Sequence, residues 1–191
     1  MKWILILATV ATALVFGFLL FGTSTDEEGQ SSSTDEYKNA EYVIDGQQVK
    51  LADGVSEVEV APGSVSKITT RYFGNELKTD LDNDGVEDVV FLVTQEQGGS
   101  GTFFYAVAAL KTEDGYVGSD GYLLGDRIAP QTTELSQNPR HKNVVVVNYM
   151  DRAEGEPMSV SPSVGKSVYL KIDRMSMQWG IVEPDFEGES R

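Results

Sequence analysis

Asp80-Leu81-Asp82-Asn83-Asp84-Gly85-Val86-Glu87-Asp88-Val89-Val90-Phe91-Leu92-Val93 passes from an acidic turn straight into an uninterrupted apolar run. The second half of this stretch decides the fold. A short, continuous run of β-branched and aromatic residues beside a turn signal reads as a strand buried on both faces. Phe103–Leu110 and Val144–Val147 have the same character, although Phe103–Leu110 is also compatible with a helix. Further strands lie around them. Glu41–Ile44 and Gln47–Leu51 flank Asp45-Gly46, the signature of a hairpin. Ser56–Val60 alternates, with Val58 and Val60 on one face and Glu57 and Glu59 on the other. Pro62-Gly63 breaks the chain, and Lys67–Phe73 then puts Ile68, Thr70 and Tyr72 on one side. Tyr116–Val117, Tyr122–Leu124, Ser167–Ile172 and Met177–Val182 supply more short strands, and 19 glycines suit the turns between them. No internal repeat is present. The expected fold class is mainly β: a single β-sandwich-like or partly barrelled domain over residues 41–191. The alternative is α+β with one or two short helices.

The first half of the stretch carries the chemistry. Carboxylates stand at positions 1, 3, 5 and 9 of the loop 80–88, with glycine at position 6. Ca²⁺ takes six to eight hard oxygen ligands at about 2.3–2.6 Å in a forgiving geometry. Asp80, Asp82 and Asp84 converge on one ion when the loop curls, and Gly85 permits the sharp turn. The Val86 carbonyl then points back at position 7, and Asp88 reaches the ion directly or through water. One structural Ca²⁺, held by Asp80, Asp82, Asp84, Val86 and Asp88, is the expected cofactor. An Asp-Gly hairpin turn with solvated acids explains Asp84-Gly85 but not the period-two acids before it. Mg²⁺ fits less well, because it keeps several waters. An EF-hand needs an acid at position 12, where Phe91 stands.

Composition narrows the function classes. The chain of 191 residues carries a formal net charge of −15, which repels phosphate backbones, so no nucleic-acid partner is expected. It has no cysteine and a single histidine, His141, which excludes disulfides, thiolate zinc sites, a cysteine nucleophile and multi-histidine metal sites. Gly98-Gly99-Ser100-Gly101-Thr102 lacks the second glycine of a nucleophile elbow. Gly165-Lys166-Ser167 resembles the end of a P-loop, but Val160 stands where the first glycine belongs. His141 lies in a basic polar turn, and Asp126-Arg127 reads as a local ion pair or as a guanidinium presented to a ligand carboxylate. No catalytic residue is assigned.

The N-terminal segment sets the location. Trp3 to Gly22 is uncharged and, at 1.5 Å per residue, about 30 Å long as a helix, the thickness of a bilayer core. A cleaved signal peptide has a shorter apolar core and a small-x-small site. Ala11-Thr12-Ala13 has the right residues in the wrong place, and Gly22-Thr23-Ser24 is a poor match. A buried core helix would carry a polar face. Residues 1–22 therefore read as an uncleaved signal anchor, a transmembrane helix touching the lipid bilayer through residues 3–22. Residues 23–40, without a large aliphatic side chain, read as a flexible acidic Ser/Thr-rich tether. Lys2 favours a cytoplasmic N-terminus and an extracytoplasmic domain on a single-pass membrane protein.

Two resemblances follow from these strings. Asp80–Asp88 resembles the DxDxDGxxD loops of FG-GAP and VCBS-type repeats, in which calcium sits in a turn leading into a strand. From Asp80 through Gly98-Gly99-Ser100-Gly101-Thr102-Phe103-Phe104-Tyr105 and Leu124-Gly125-Asp126-Arg127 to Glu156-Pro157-Met158, the order resembles a lipoprotein-like domain of many exported bacterial proteins. Cysteines that follow the last motif in such domains are replaced here by Ser159-Val160-Ser161-Pro162. The resemblance implies export. The expected role is binding or envelope assembly with an envelope protein or polymer as partner; the alternative is an exported hydrolase acting on envelope polymers. Mass spectrometry of membrane fractions is expected to recover the N-terminal peptide containing Trp3, whereas a mature form starting near Thr25 would remove the anchor.

Overall fold

The computed structural model describes residues 33–184. The expected transmembrane segment 1–22 lies outside the described residues, as does the tether from 23 to 32. Among the described residues, no helix is long and apolar enough to cross a membrane.

Among the described residues, the fold is mainly β. A 3-10 helix, Ser33–Asn39, precedes twelve strands: β1 (Glu41–Ile44), β2 (Gln47–Lys50), β3 (Val55–Glu59), β4 (Lys67–Thr79), β5 (Asp88–Glu96), β6 (Phe103–Thr112), β7 (Gly115–Gly118), β8 (Tyr122–Asp126), β9 (Ala129–Leu135), β10 (Val145–Asp151), β11 (Val164–Asp173) and β12 (Gln178–Ile181). They form three antiparallel sheets: the hairpin β1-β2, a large sheet ordered β3-β4-β5-β6-β7 with β8 also on β6, and a smaller sheet ordered β12-β11-β10-β9. Among the described residues no sheet closes into a barrel.

Burial explains the unbroken apolar runs. In β5, Val90 and Leu92 face one core, with Phe104, Ala106 and Ala108 of β6, Val145 and Val147 of β10, and Leu170 and Ile172 of β11. Val89, Phe91 and Val93 face a second core, with Val107 of β6, Tyr42 and Ile44 of β1, and Tyr37 of the 3-10 helix. The large sheet is covered on both faces, so β5 and β6 have no polar side to show, and alternation vanishes. Phe103–Leu110 is accordingly a strand.

Phe91 is the hub of the second core. Its ring centroid lies 5.3 Å from Tyr37, 5.6 Å from Tyr42 and 5.5 Å from Tyr72. The Tyr37 and Tyr72 hydroxyls both donate to Glu76 Oε1, tying the 3-10 helix to β4. This corrects the tether boundary: the ordered domain includes Ser33–Asn39, with Tyr37 fully buried, rather than beginning at Glu41. One aromatic side chain with a slot to fill outweighs the polar residues around it.

Two other expectations need adjustment. Val58 and Val60 remain 49% and 52% exposed, because the edge strand β3 contributes no side chain to either core. β4 runs on past Phe73 to Thr79, through register shifts on either side of Gly74. Such bulges bend a strand without ending it, and β4 thus delivers the chain directly to Asp80. The Asp45-Gly46 hairpin is as expected, with φ of 53° and 74° at its two central residues, as a type I′ turn requires.

The β1-β2 layer docks on the connection between β7 and β8. Val43 N–H donates to Ser119 O at 3.2 Å, and Gly121 N–H donates to Val43 O at 2.7 Å. A Cβ at Gly118 would lie 2.1 Å from Glu41 O and 2.6 Å from the Tyr42 ring. Gly118→Ala is therefore expected to lift this layer and cost about 2–4 kcal/mol, the range of severe overpacking in a core. Gly99→Ala, with nothing within 4 Å, is the control and should stay within about 0.5 kcal/mol. Urea unfolding of both variants measures the difference.

Candidate metal centre

The acidic loop spans the end of β4 and the start of β5, which are antiparallel neighbours with Thr79 opposite Asp88. It is a tight hairpin connection whose shape comes from its own carboxylates. Asp80 Oδ1 accepts from Asn83 N–H at 2.7 Å and Asp84 N–H at 3.2 Å, and Asp80 Oδ2 accepts from Gly85 N–H at 3.0 Å. Asp82 Oδ1 also takes the Asp84 N–H, at 3.1 Å. Short acids capture amides two to five residues on because their side chains mimic a turn carbonyl. Asn83 and Gly85 adopt left-handed backbone, with φ of 64° and 88°, which closes the curl.

The curl brings Asp80, Asp82 and Asp88 together: one oxygen from each lies within 4.8 Å of the others. Two oxygens bound to one Ca²⁺ at about 2.3–2.6 Å stand no more than about 5 Å apart, so the spacing fits a shared ion. Asp84 stands outside this group. Its Oδ1 takes the Val86 N–H at 2.7 Å, and Val86 is exposed at the loop tip.

Asp88 is the most deeply placed of the three, at 1% exposed. Its Oδ2 accepts from Leu81 N–H at 2.8 Å and closes the loop; its Oδ1 accepts from Lys111 N–H at 2.8 Å, at the end of β6. Burial pushes its pKa above the ordinary carboxylate value; those two amides pull it back only in part, and the charges of Asp82 and Asp84 add to the rise. Two residues distant in sequence complete the surroundings. Asn143 Nδ2 donates to Leu81 O at 2.7 Å, and Arg174 Nη1 lies 3.8 Å from Asp82 Oδ2. Neither was visible as a site residue, since each reaches the loop only through the stacking of the smaller sheet.

The other candidates are held in structural roles. Arg127 donates to both oxygens of Asp126 through Nε at 3.2 Å and to Oδ2 through Nη2 at 3.0 Å. Asp126 Oδ1 also takes the Thr102 N–H at 2.8 Å, and Arg152 Nη1 donates to Arg127 O at 2.9 Å. Asp126 and the two guanidiniums thus clasp the glycine-rich turn 98–102 to the loop after β10. Burial raises the Asp126 pKa, but Arg127, the Thr102 amide and Arg152 outweigh it and hold it below the ordinary value. His141 Nδ1 lies 2.7 Å from Ser136 Oγ, which engages the ring locally. Gly165-Lys166-Ser167 lies inside β11, where Lys166 pairs with Asp151 at 2.7 Å.

No family model, curated protein or solved structure matches the chain.

The two aspartates respond oppositely to acid. Asp88, with its pKa raised, favours the native state when protonated, and that contribution is lost as pH rises through its folded value. Asp126, with its pKa depressed, contributes above its unfolded value and loses that contribution as pH falls through its folded one. Carboxyl carbon NMR of the protein in EDTA is expected to place the Asp88 midpoint above that of Asp126. Asp88→Ala leaves two amides without their acceptor and should cost about 3–5 kcal/mol, against about 1 kcal/mol or less for the exposed Asp84→Ala in EDTA. Denaturant titration reads both.

Proposed function

We propose that the protein is a membrane-anchored, extracytoplasmic β-domain whose acidic loop holds one structural Ca²⁺, and that its role is binding or envelope assembly. The observation that carries the calcium reading is the convergence of Asp80, Asp82 and Asp88 to within 4.8 Å at the mouth of a hairpin rooted in the core. Each carboxylate oxygen has two lone pairs, so an oxygen that accepts one N–H keeps capacity for an ion. Asp84 would join by exchanging its Val86 amide for the ion, and the Val86 carbonyl and water would complete six or more ligands. A cation would remove the repulsion among the three acids and offset the desolvation of Asp88.

The anchor reading rests on the uncharged run Trp3–Gly22. The architecture reading is a sandwich: the two larger sheets share the core of Leu92, Ala106, Val147 and Leu170. The second class, an exported hydrolase acting on envelope polymers, has no one observation in its favour, because the His141 and Asp126 groups are engaged locally.

Thermal melts and calorimetry of the full-length protein test the ion. If ambient Ca²⁺ exceeds Kd by about 100-fold, binding adds about 2.7 kcal/mol, or roughly 5–10 °C in Tm for a domain of this size. Asp80→Asn and Asp82→Asn should abolish the increment, and Mg²⁺ should not reproduce it. Equal melting temperatures in EDTA and millimolar Ca²⁺, with no calcium heat, would leave an amide-satisfied turn.

A further inference from the structure

We propose that β3 is a self-pairing edge, at which two copies of the chain join antiparallel about Val58 and continue the large sheet from one molecule into the other. β3 ends the large sheet, with β4 on its inner side. In an antiparallel pair the backbone groups of alternate residues point toward the neighbouring strand and those of the rest point away. Val60 N–H donates to Ser66 O at 3.0 Å, so Ser56, Val58 and Val60 are turned toward β4, and Glu57 and Glu59 toward the open side. Val55 is turned outward too, but its N–H and carbonyl are taken by Ala52, at 3.0 and 2.8 Å. The open edge thus presents one outward residue on each side of Val58. A two-fold axis through Val58 sets Glu57 opposite Glu59 of the second copy, and Glu59 opposite its Glu57, and joins their N–H and carbonyl groups in hydrogen bonds on both sides of the axis. Moving the axis by one residue sets Glu57 or Glu59 against itself and the other against Val55 or Ala61, whose carbonyls are engaged by Ala52 and Ser64.

The side chains are self-complementary in the same register. On the face that Tyr72 turns to the second core, Val58 stands opposite the half-buried Ile68, with Val60 beyond it. In the pair, Val58 meets Val58 of the second copy and Val60 meets its Ser56, which removes the exposed valines from water. On the other face the acids are answered within each copy. Lys67 Nζ lies 2.9 Å from Glu57 Oε2, Arg71 Nη2 lies 3.8 Å from Glu57 Oε1, and Gly63 N–H donates to Glu59 Oε2 at 2.8 Å. Glu57 and Glu59 are thus matched by Lys67 and Arg71, so this face brings no net charge to the pair in a chain of −15. β3 carries neither a proline nor a bulge, two devices that blunt an edge. The symmetry about one residue makes a second copy the occupant, because a foreign strand gains nothing from it. So short an edge lies below the roughly 1,200 Å² that a stable complex buries, so the pair forms at high protein concentration. It depends neither on the membrane anchor nor on an ion in the loop.

The test is register-specific crosslinking. The chain has no cysteine, so one introduced thiol reports without background. Val58 and its copy form a pair without mutual hydrogen bonds, with Cα atoms about 4.5 Å apart, which a disulfide spans. Full-length protein in detergent at about 1 mM, a concentration that populates a weak complex, is oxidised with diamide and run on non-reducing gels. Val58→Cys is expected to give a disulfide-linked dimer. Ser56→Cys and Val60→Cys are each expected to stay monomeric alone, because each lies about 13 Å along the strand from its own copy. Mixed together they are expected to crosslink, since Ser56 opposes Val60. All three side chains lie outside both cores, so near-UV circular dichroism should be unchanged. In the wild type, hydrogen exchange at the Glu57 and Glu59 amides should slow as protein concentration rises, while Val58, already bonded to β4, should not respond. Failure of Val58→Cys to crosslink, equal crosslinking of Val60→Cys alone, or no gain on mixing would each overturn the proposal.

Discussion

The Asp88 carboxylate is the constraint on which the rest of the molecule turns. It is the first residue of the strand with the deepest burial, it is itself buried, and its two oxygens hold amides from two directions. Leu81 N–H closes the acidic loop onto β5, and Lys111 N–H joins that closure to the far end of β6. The loop is therefore an extension of the core rather than a surface ornament. A buried carboxylate with only amide partners is an expensive arrangement, since desolvation exceeds what the two amides return. Two further acids crowding the same point raise that cost. The proposed divalent cation would answer all three charges at once.

From this root the layers follow. β5 and β6 lie at the centre of the large sheet, and each of their faces must be covered. The smaller sheet covers one face and the β1-β2 hairpin with the 3-10 helix covers the other. The acidic loop sits at the end of this stack, where Asn143 and Arg174 arrive from the smaller sheet. Burial of the central strands and positioning of the acids are one event, since Asp88 and Val89 are consecutive in the same strand.

Much of this was legible in the residues. Val89–Val93 and Val144–Val147 announced buried strands because they lack any polar period, and Asp45-Gly46 announced a hairpin because few other pairs accept positive φ twice. The convergence of the acids at 80, 82 and 88 was legible in their spacing, although the same carboxylates also hold the loop's own amides. What escaped detection was tertiary. The burial of Tyr37 depends on a slot formed by Phe91 and Tyr116, far along the chain. The exposure of Val58 and Val60 depends on β3 falling at an edge, which alternation alone does not reveal. Asp84 shares the spacing of its neighbours, yet its carboxylate takes the nearest amide, Val86, a local competition that spacing does not resolve. Arg174 and Asn143 carry no motif at all.

The central claim is that the acidic loop folds as part of the core around a cation fixed at Asp88. Residue-resolved hydrogen exchange of the full-length protein, in Ca²⁺ and in EDTA, tests it most directly. The account predicts that Leu81 and Lys111 exchange as slowly as Val90 and Leu92 when Ca²⁺ is present. It predicts that removal of Ca²⁺ speeds exchange at Leu81, Asn83 and Gly85 while leaving Val60, at the distant β3–β4 hairpin, unchanged. Exchange at Leu81 as fast as at an exposed turn, and indifferent to Ca²⁺, would contradict it.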